Sequence, residues 1–403
     1  MNHYTKTLAQ RAQPSEEWML SMQQRFPVER AINEIFIRKL RNRHVKVEHS
    51  MNFESLHETL TQFIKVKTGK SDLIIENLQR LSGGASKEQF TFDLIRHSDN
   101  SGAPSKQRLM LRMDPTESVV ETHRLREWQM LRAMQGEVPV PEVFWLDLEG
   151  EHLGQPAIVA GFLEGTVRPE SKEDKMSGIG MYFEPNLREN LKGQFVEILS
   201  KIHRVNWREK DLSAFDVPRS NSTQANEWAL NQLARAWQED TTHAHPIMEQ
   251  AAVWLRENMP VVENPVIIHG DYRSGNFMYD SNLNINAIFD WELAYLGDYH
   301  DDVAWASLSI FGGLDEQGRP LAGSLMPIEE FLERYEAASG FPVDRKKLFY
   351  YQLFSYYKMA VFTAATSLRV VYSKKTHLDA MMNFASGIGY ICISELNRML
   401  EQT

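Results

Sequence analysis

The chain has 403 residues, 42% of them hydrophobic, enough to bury a sizeable core and more than one compact domain usually holds, so two lobes are expected. Lys and Arg number 44 against 54 Asp and Glu, a formal net charge of −10, which opposes the phosphate neutralisation behind sequence-independent nucleic-acid binding and argues against such a partner. The single cysteine, Cys392, excludes a disulfide framework and a cysteine-built zinc site and suits a reducing cytoplasm; no apolar leader and no run of 18 apolar residues is present, so neither export nor a membrane span is expected.

In chain order, residues 1–52 read as an extension, polar until Ile32, Ile35, Phe36 and Leu40 recur at helical spacing. The opposite face carries Arg38, Lys39, Arg41, Arg43 and Lys46, read as a solvated basic face without assigned chemistry. A second helix with Phe53, Leu56, Leu60, Phe63 and Ile64 on one side should stop at Gly69. Strands are expected at Leu73–Leu81, Gln89–Ile95 and Arg108–Met113, forming a small antiparallel sheet. Asp114-Pro115-Thr116-Glu117 has the pattern of a helix start, with Asp at the N-cap and Pro at N1, and the helix should run to about Gln135. VPVPEVFWLD and a strand at Ala157–Ala160 follow; beyond Gly165 the pattern is mainly helical apart from one hairpin region around 266–290.

That hairpin region, VIIHGDYRSGNFMYDSNLNINAIFDWE, carries the strongest chemical signal. A buried-type strand, Val266–Ile268, delivers His269, Asp271 and Asn276 to the following loop; the turn DSNLN reverses the chain, and the return strand ends at Asp290. Antiparallel pairing should set Asn276 and Asp290 opposite each other across roughly 5 Å of backbone. Two hard oxygen ligands at one hairpin end suit Mg2+, which takes one or two protein oxygens and completes its shell with water and phosphate. Base, metal-binding Asn and metal-binding Asp in this order are also the arrangement of protein kinases, in which Asp271 would take the hydroxyl proton. A turn-capping role for His269 and Asp271, and a metallohydrolase, are the competing readings; the second needs further metal ligands at matching spacing, and the other histidines do not supply them. Downstream, Asp302 in LGDYHDDVAW either receives hydrogen bonds from the catalytic loop or caps a helix.

Two N-terminal features complete the set. Ser82, Gly83, Gly84, Ala85 and Ser86 form a glycine turn between strands, where backbone amides can approach phosphate oxygens, although a plain hairpin turn would use the same residues. Arg112 ends the strand RLMLRM, and Glu127 shares a helix face with Val120, Leu131 and Met134, so its carboxylate points to an apolar side and needs a cation.

Together these motifs, above all HGDYRSGN followed by FDWELAYLGD and DDVAW, resemble the aminoglycoside phosphotransferase-like (APH) superfamily, and most of all its branch similar to the kinase domains fused to some acyl-CoA dehydrogenases. The resemblance runs from about Phe53 to the C-terminus. It implies an α+β, bilobal protein-kinase-like fold, with residues 53–163 as a small β-rich nucleotide-binding lobe, 164–403 as a mainly helical catalytic and acceptor-binding lobe, and 1–52 as a helical extension outside it. It implies Asp271 as base, Asn276 and Asp290 as Mg2+ ligands, Arg112 and Glu127 as the phosphate-organising ion pair, residues 82–86 as the nucleotide loop, and backbone groups near Ala160 and Phe162 as the adenine hinge. Many relatives carry Lys in place of Arg112 and Pro in place of Tyr299; neither difference removes a catalytic group.

The expected activity is therefore ATP- and Mg2+-dependent phosphorylation of a small-molecule hydroxyl in the cytoplasm, with no nucleic-acid or membrane partner. A hydroxyacyl-CoA is the favoured acceptor, because that branch is associated with hydroxyacyl-CoA phosphorylation and the basic flanks of the aromatic stretch 345–375 suit an anion better than a polycation. An aminoglycoside or amino alcohol kinase, and an ATP-binding pseudokinase, are the alternatives. A protein kinase would need a DFG-to-APE segment, which FDWELAYLGD does not provide.

Overall fold

The computed structural model describes residues 9–43, 53–81, 87–96, 104–115, 117–168, 181–373 and 379–403. The architecture is α+β and bilobal. After α1 (Glu16–Arg25) and α2 (Arg30–Arg41), helix α3 (Phe53–Thr68) buries Leu56, Leu60, Phe63 and Ile64 at helical spacing. Gly69 ends it with φ +68° and an N–H that reaches back to the Lys65 carbonyl at 2.9 Å.

Strands β1 (Leu73–Arg80), β2 (Glu88–Arg96) and β3 (Ser105–Met113) are joined by β4 (Val143–Asp147) and β5 (Ala157–Gly161) in the order β1-β2-β3-β5-β4, every pair antiparallel. The inner face of the sheet and α3 enclose a core of Leu60, Phe63, Phe90, Phe92, Leu109 and Leu111.

The residues after β3 do not begin a helix. Helix α4 spans Arg124–Met134, nine residues later than the capping pattern predicts, and Val120 therefore lies outside the face that carries Glu127. Asp114 is drawn away from a capping role by two buried cations: Arg124 Nε and Nη2 lie 2.9 and 2.8 Å from its Oδ1, and Lys87 Nζ 3.0 Å.

The larger lobe contains α5 (Pro185–Arg204), α6 (Gln224–Asp240) and α7 (Pro246–Glu257), then β6 (Val266–Ile268), β7 (Phe277–Tyr279), β8 (Ile285–Ile288) and β9 (Tyr295–Gly297). Only β7 and β8 form the expected hairpin; β6 pairs instead with β9, so the 269–276 segment is held between two small ladders. Helix α8 (His300–Ala306) follows, and after the short strands β10 (Leu321–Ala322) and β11 (Met326–Pro327) come α9 (Ile328–Ser339), α10 (Arg345–Val361), α11 (Ser367–Ser373) and α12 (Asp379–Leu400). Tyr351 and Tyr357 of α10 are core residues. Of its basic flanks, Arg345 pairs with Glu329 and Lys347 with Asp298, while Lys374 and Lys375 lie outside the described residues. No helix among the described residues is long and apolar enough to cross a membrane.

The extension is built into the body of the protein. Ile32 and Phe36 of α2 join the core of the larger lobe, and its basic side is not a solvated face: Lys39 is buried, 2.7 Å from Glu239 and 3.3 Å from Asp240, and Arg43 pairs with Asp240. Arg38 and Arg41 are the exposed members. Lys46 lies outside the described residues.

Candidate active site

Strand β6 is buried throughout and projects His269-Gly270-Asp271 from its end. Gly270 has φ +80°, and a Cβ there would sit 2.6 Å from the Leu293 carbonyl oxygen, so only glycine fits the bend. The bend is clamped by the fully buried Asp302, whose Oδ2 accepts the His269 N–H at 2.7 Å and whose Oδ1 accepts the Gly270 N–H at 2.9 Å. His203 adds its Nε2 at 3.1 Å and is itself held by Tyr335. Burial alone would raise the Asp302 pKa; the hydrogen bond and charge of His203 reverse it and keep the carboxyl below its ordinary value. Asp302 therefore receives hydrogen bonds from the loop, the first of its two sequence readings.

Burial lowers the pKa of His269, keeping its ring neutral. Nδ1 accepts the Asp271 N–H at 3.2 Å, which leaves Nε2 to donate to the Phe289 carbonyl at 2.9 Å. One imidazole thus connects Asp271 to the strand end that carries Asp290.

The Asp271 carboxylate is oriented by three donors: Arg273 Nε and Trp305 Nε1, both at 2.8 Å on Oδ1, and Asn276 Nδ2 at 2.7 Å on Oδ2. Asn276 Nδ2 also donates to the Asp271 carbonyl at 2.9 Å, which turns its amide oxygen the other way. Across the hairpin the Phe289 N–H donates to the Asn276 carbonyl at 2.8 Å, and the next residue, Asp290, has φ +60°. A non-glycine residue in the left-handed region is a local cost accepted where a side chain must be aimed. Asp290 keeps about a third of its side chain exposed to the cleft, 34%.

Arg112 crosses to this carboxylate. Its Nη2 lies 2.9 Å from Asp290 Oδ1, 3.4 Å from Glu127 Oε1 and 4.0 Å from Glu292 Oε2. Burial disfavours the guanidinium charge, but Glu127, Asp290 and Glu292 overcompensate and raise its pKa. The expected Arg112–Glu127 pair is present as part of a larger cluster. Arg124 bonds Glu127 and Asp114, and Lys87 bridges Asp114 and Glu292, the latter at 3.3 Å.

Met110, Arg112, Leu131, Ile158, Ala160, Gly161, Ile288 and Asp290 line a cleft between the lobes. Ala160 is thus brought to the wall. Phe162 is not; its N–H is given to the Arg108 carbonyl at 3.3 Å and its ring stacks under the Arg108 guanidinium, while Gly161 and Leu163 face the cleft. Ser82 to Ser86 lie outside the described residues.

Sequence reasoning missed Lys87, Arg124, Glu292, Trp305 and Lys358. Lys358 of α10 is buried, donates to the Gly270 carbonyl at 2.9 Å and lies 3.9 Å above the Trp305 ring. Glu292 stood two residues beyond Asp290 in the quoted motif and was open to notice; Lys358, buried within an aromatic-rich helix, carried no local sign.

The Asp290 carboxylate and Arg112 on one cleft, with the Asn276 amide oxygen turned away from Asp271 across the hairpin, fit a divalent ion that takes few protein oxygens together with a polyanion. Among the described residues no group of three or more His, Cys, Asp or Glu side chains forms a metal cage.

The mouse acyl-CoA dehydrogenase family member 10 is 27% identical over 271 residues, covering 63% of this chain but only 24% of its own length, so the chain spans about a quarter of that relative. Among solved structures, a Ralstonia eutropha protein assigned to the aminoglycoside phosphotransferases superposes with a TM-score of 0.59 at 20% identity, covering 86% of this chain and 98% of the other. A thermostable aminoglycoside phosphotransferase APH(4)-Ia, solved with ADP and hygromycin B, gives 0.50 at 16% identity over 85% and 98%. The family model for the phosphotransferase enzyme family, APH, matches residues 77–349, and the chain belongs to that family.

Proposed function

We propose that this phosphotransferase moves the γ-phosphoryl group of ATP to a hydroxyl of a small molecule, with Asp271 as base and Asn276 and Asp290 as Mg2+ ligands. The observation that carries the reading is the double hydrogen bond from Asn276 to Asp271 beside Asp290: one amide fixes the base and leaves its oxygen for a metal. Bound Mg2+ would neutralise charge on the transferring phosphate. Arg112, held by Glu127, grips phosphate oxygens; residues 82–86 are the proposed nucleotide loop; Ala160 and its neighbours in the 157–165 segment meet adenine. Asp271, oriented by Arg273, Trp305 and Asn276, aligns the acceptor hydroxyl and takes its proton late in the transfer. The ADP bound in the hygromycin phosphotransferase supports nucleotide use. Residues 53–163 serve as the nucleotide lobe, 164–403 carry catalysis and acceptor binding, and the protein works in the cytoplasm.

For the acceptor we favour a hydroxylated acyl compound, such as a hydroxyacyl-CoA. The relative named as an acyl-CoA dehydrogenase supports this. Purified enzyme with Mg-ATP and a panel of hydroxyacyl-CoAs, amino alcohols and aminoglycosides should form ADP and a phosphorylated hydroxyacyl product, read by mass spectrometry. Turnover of aminoglycosides alone would overturn the acceptor assignment, and retention of ATP with no acceptor in any class would favour a binding module.

A further inference from the structure

The family match begins at residue 77, so α2 and its entry lie outside it, yet they touch the helix that carries Glu127. Glu29 stands at the N-cap position of α2 without capping it. Its carboxylate is instead buried against Arg126, with Oε2 2.7 Å from Nη1 and Oε1 3.0 Å from Nη2. Arg126 is the residue next to Glu127. The same Nη2 donates to the Ala294 carbonyl at 3.1 Å, in the segment that leaves Asp290, and the guanidinium lies 4.1 Å over the Phe215 ring. Glu29 also accepts the Asp216 N–H at 3.2 Å, and Gln129, one turn along α4, accepts the Ala214 N–H at 2.9 Å. A bidentate, desolvated carboxylate–guanidinium pair fixes orientation as well as distance.

We infer that Glu29 is a positioning residue of the nucleotide site: through Arg126 it sets helix α4 and the 291–294 segment, and so aims Glu127, Arg112 and Asp290 at Mg-ATP. Lys–Glu-type pairing between a sheet and one mobile helix is where kinase-like sites are controlled, and here the extension grips that helix from behind. The entry of α2 at Glu29 thus supports the site from outside it. This inference rests on the reading that Arg112 and Asp290 hold Mg-nucleotide.

The test is calorimetric titration of Mg-AMP-PNP into the full chain, with Met22→Ala of α1 as a control that loosens the extension away from the pair. Glu29→Gln should weaken binding about tenfold, and Arg126→Lys should act in the same direction. Met22→Ala should leave affinity unchanged at a similar loss of thermal stability. In an Arg112→Ala background Glu29→Gln should add less than it does in the parent, because part of its effect runs through Arg126 and Glu127 to the Arg112 guanidinium. Parental affinity in Glu29→Gln, or in Arg126→Lys where the first variant does not fold, overturns the inference. So does a full additional loss in the Arg112→Ala background. A parent protein that binds no Mg-nucleotide at all is a different result, since it removes the proposed function itself and the inference with it.

Discussion

Arg112 ends nearer to Asp290, 2.9 Å, than to Glu127, 3.4 Å, so one guanidinium joins the sheet of the smaller lobe to the proposed metal ligand of the larger one. Asp290 in turn is held below its usual pKa: burial opposes ionisation, and the charge and hydrogen bond of Arg112 outweigh it. The carboxylate is therefore ionised and aimed before any metal arrives, with Oδ1 committed to Arg112.

This relationship predicts how Arg112 variants behave. Arg112→Ala should raise the KM for ATP and lower kcat together, because it removes the proposed phosphate contact and leaves Asp290 and Glu127 facing each other without their shared cation. Arg112→Lys, with one donor group in place of a fork, should be milder. Steady-state kinetics with varied ATP check this, and unchanged constants in Arg112→Ala would refute the placement.

Asp271 and Asp290 should separate in their effects. Asp271→Asn is expected to spare Mg-ATP binding and reduce turnover by roughly 10²-fold or more, whereas Asp290→Asn should weaken Mg-nucleotide affinity first. Calorimetry with Mg-AMP-PNP beside single-turnover phosphorylation distinguishes them. An Asp271→Asn enzyme as fast as the parent would end its role as base.

What the sequence disclosed follows from how local each cause is. The α3 stripe and its Gly69 stop, the three leading strands and the order Asp271, Asn276, Asp290 are set by neighbours in the chain, and they were readable. The helix expected at Asp114 failed for a nonlocal reason: Arg124 and Lys87 converge on that carboxylate, and their attraction exceeds what one capping hydrogen bond supplies. Lys39 reads as a surface cation because Glu239 and Asp240, which bury it, lie 200 residues away. Lys358 was invisible for the same reason, its partner being the carbonyl of Gly270.

Asp302 should prove both structural and kinetic. Asp302→Ala leaves the buried N–H groups of His269 and Gly270 without acceptors, at about 1–3 kcal/mol each, and frees the loop that carries Asp271. Thermal unfolding should therefore occur several degrees lower, and kcat should fall by a larger factor than the affinity for ATP. If stability drops while kcat per folded molecule is kept, the clamp is structural only.

Asp114 provides a pH test of the buried cation cluster. Burial would raise its pKa, but Arg124 and Lys87 pull it from the ordinary 3.8 down to about 2. For a depressed carboxyl the stabilisation is present above the unfolded value and is lost as pH falls through the folded one, so the window lies between about pH 4 and pH 2. A shift of this size corresponds to about 2 kcal/mol at neutral pH. Arg124 and Lys87 stay charged throughout that range, so their loss of a partner in Asp114→Asn adds an offset that does not vary with pH. Urea unfolding of the parent and of Asp114→Asn at pH 7, 5, 3 and 2 should then show the parent more stable at pH 7 and 5, with the gap narrowing by about 2 kcal/mol toward pH 2. Carboxylates remote from this cluster are common to both proteins and cancel in the difference, and Glu121, pushed up to about 7 by burial and in part by Asp114, titrates above this window. A gap that stays constant from pH 7 to pH 2 would mean that Asp114 is not the group those cations hold ionised.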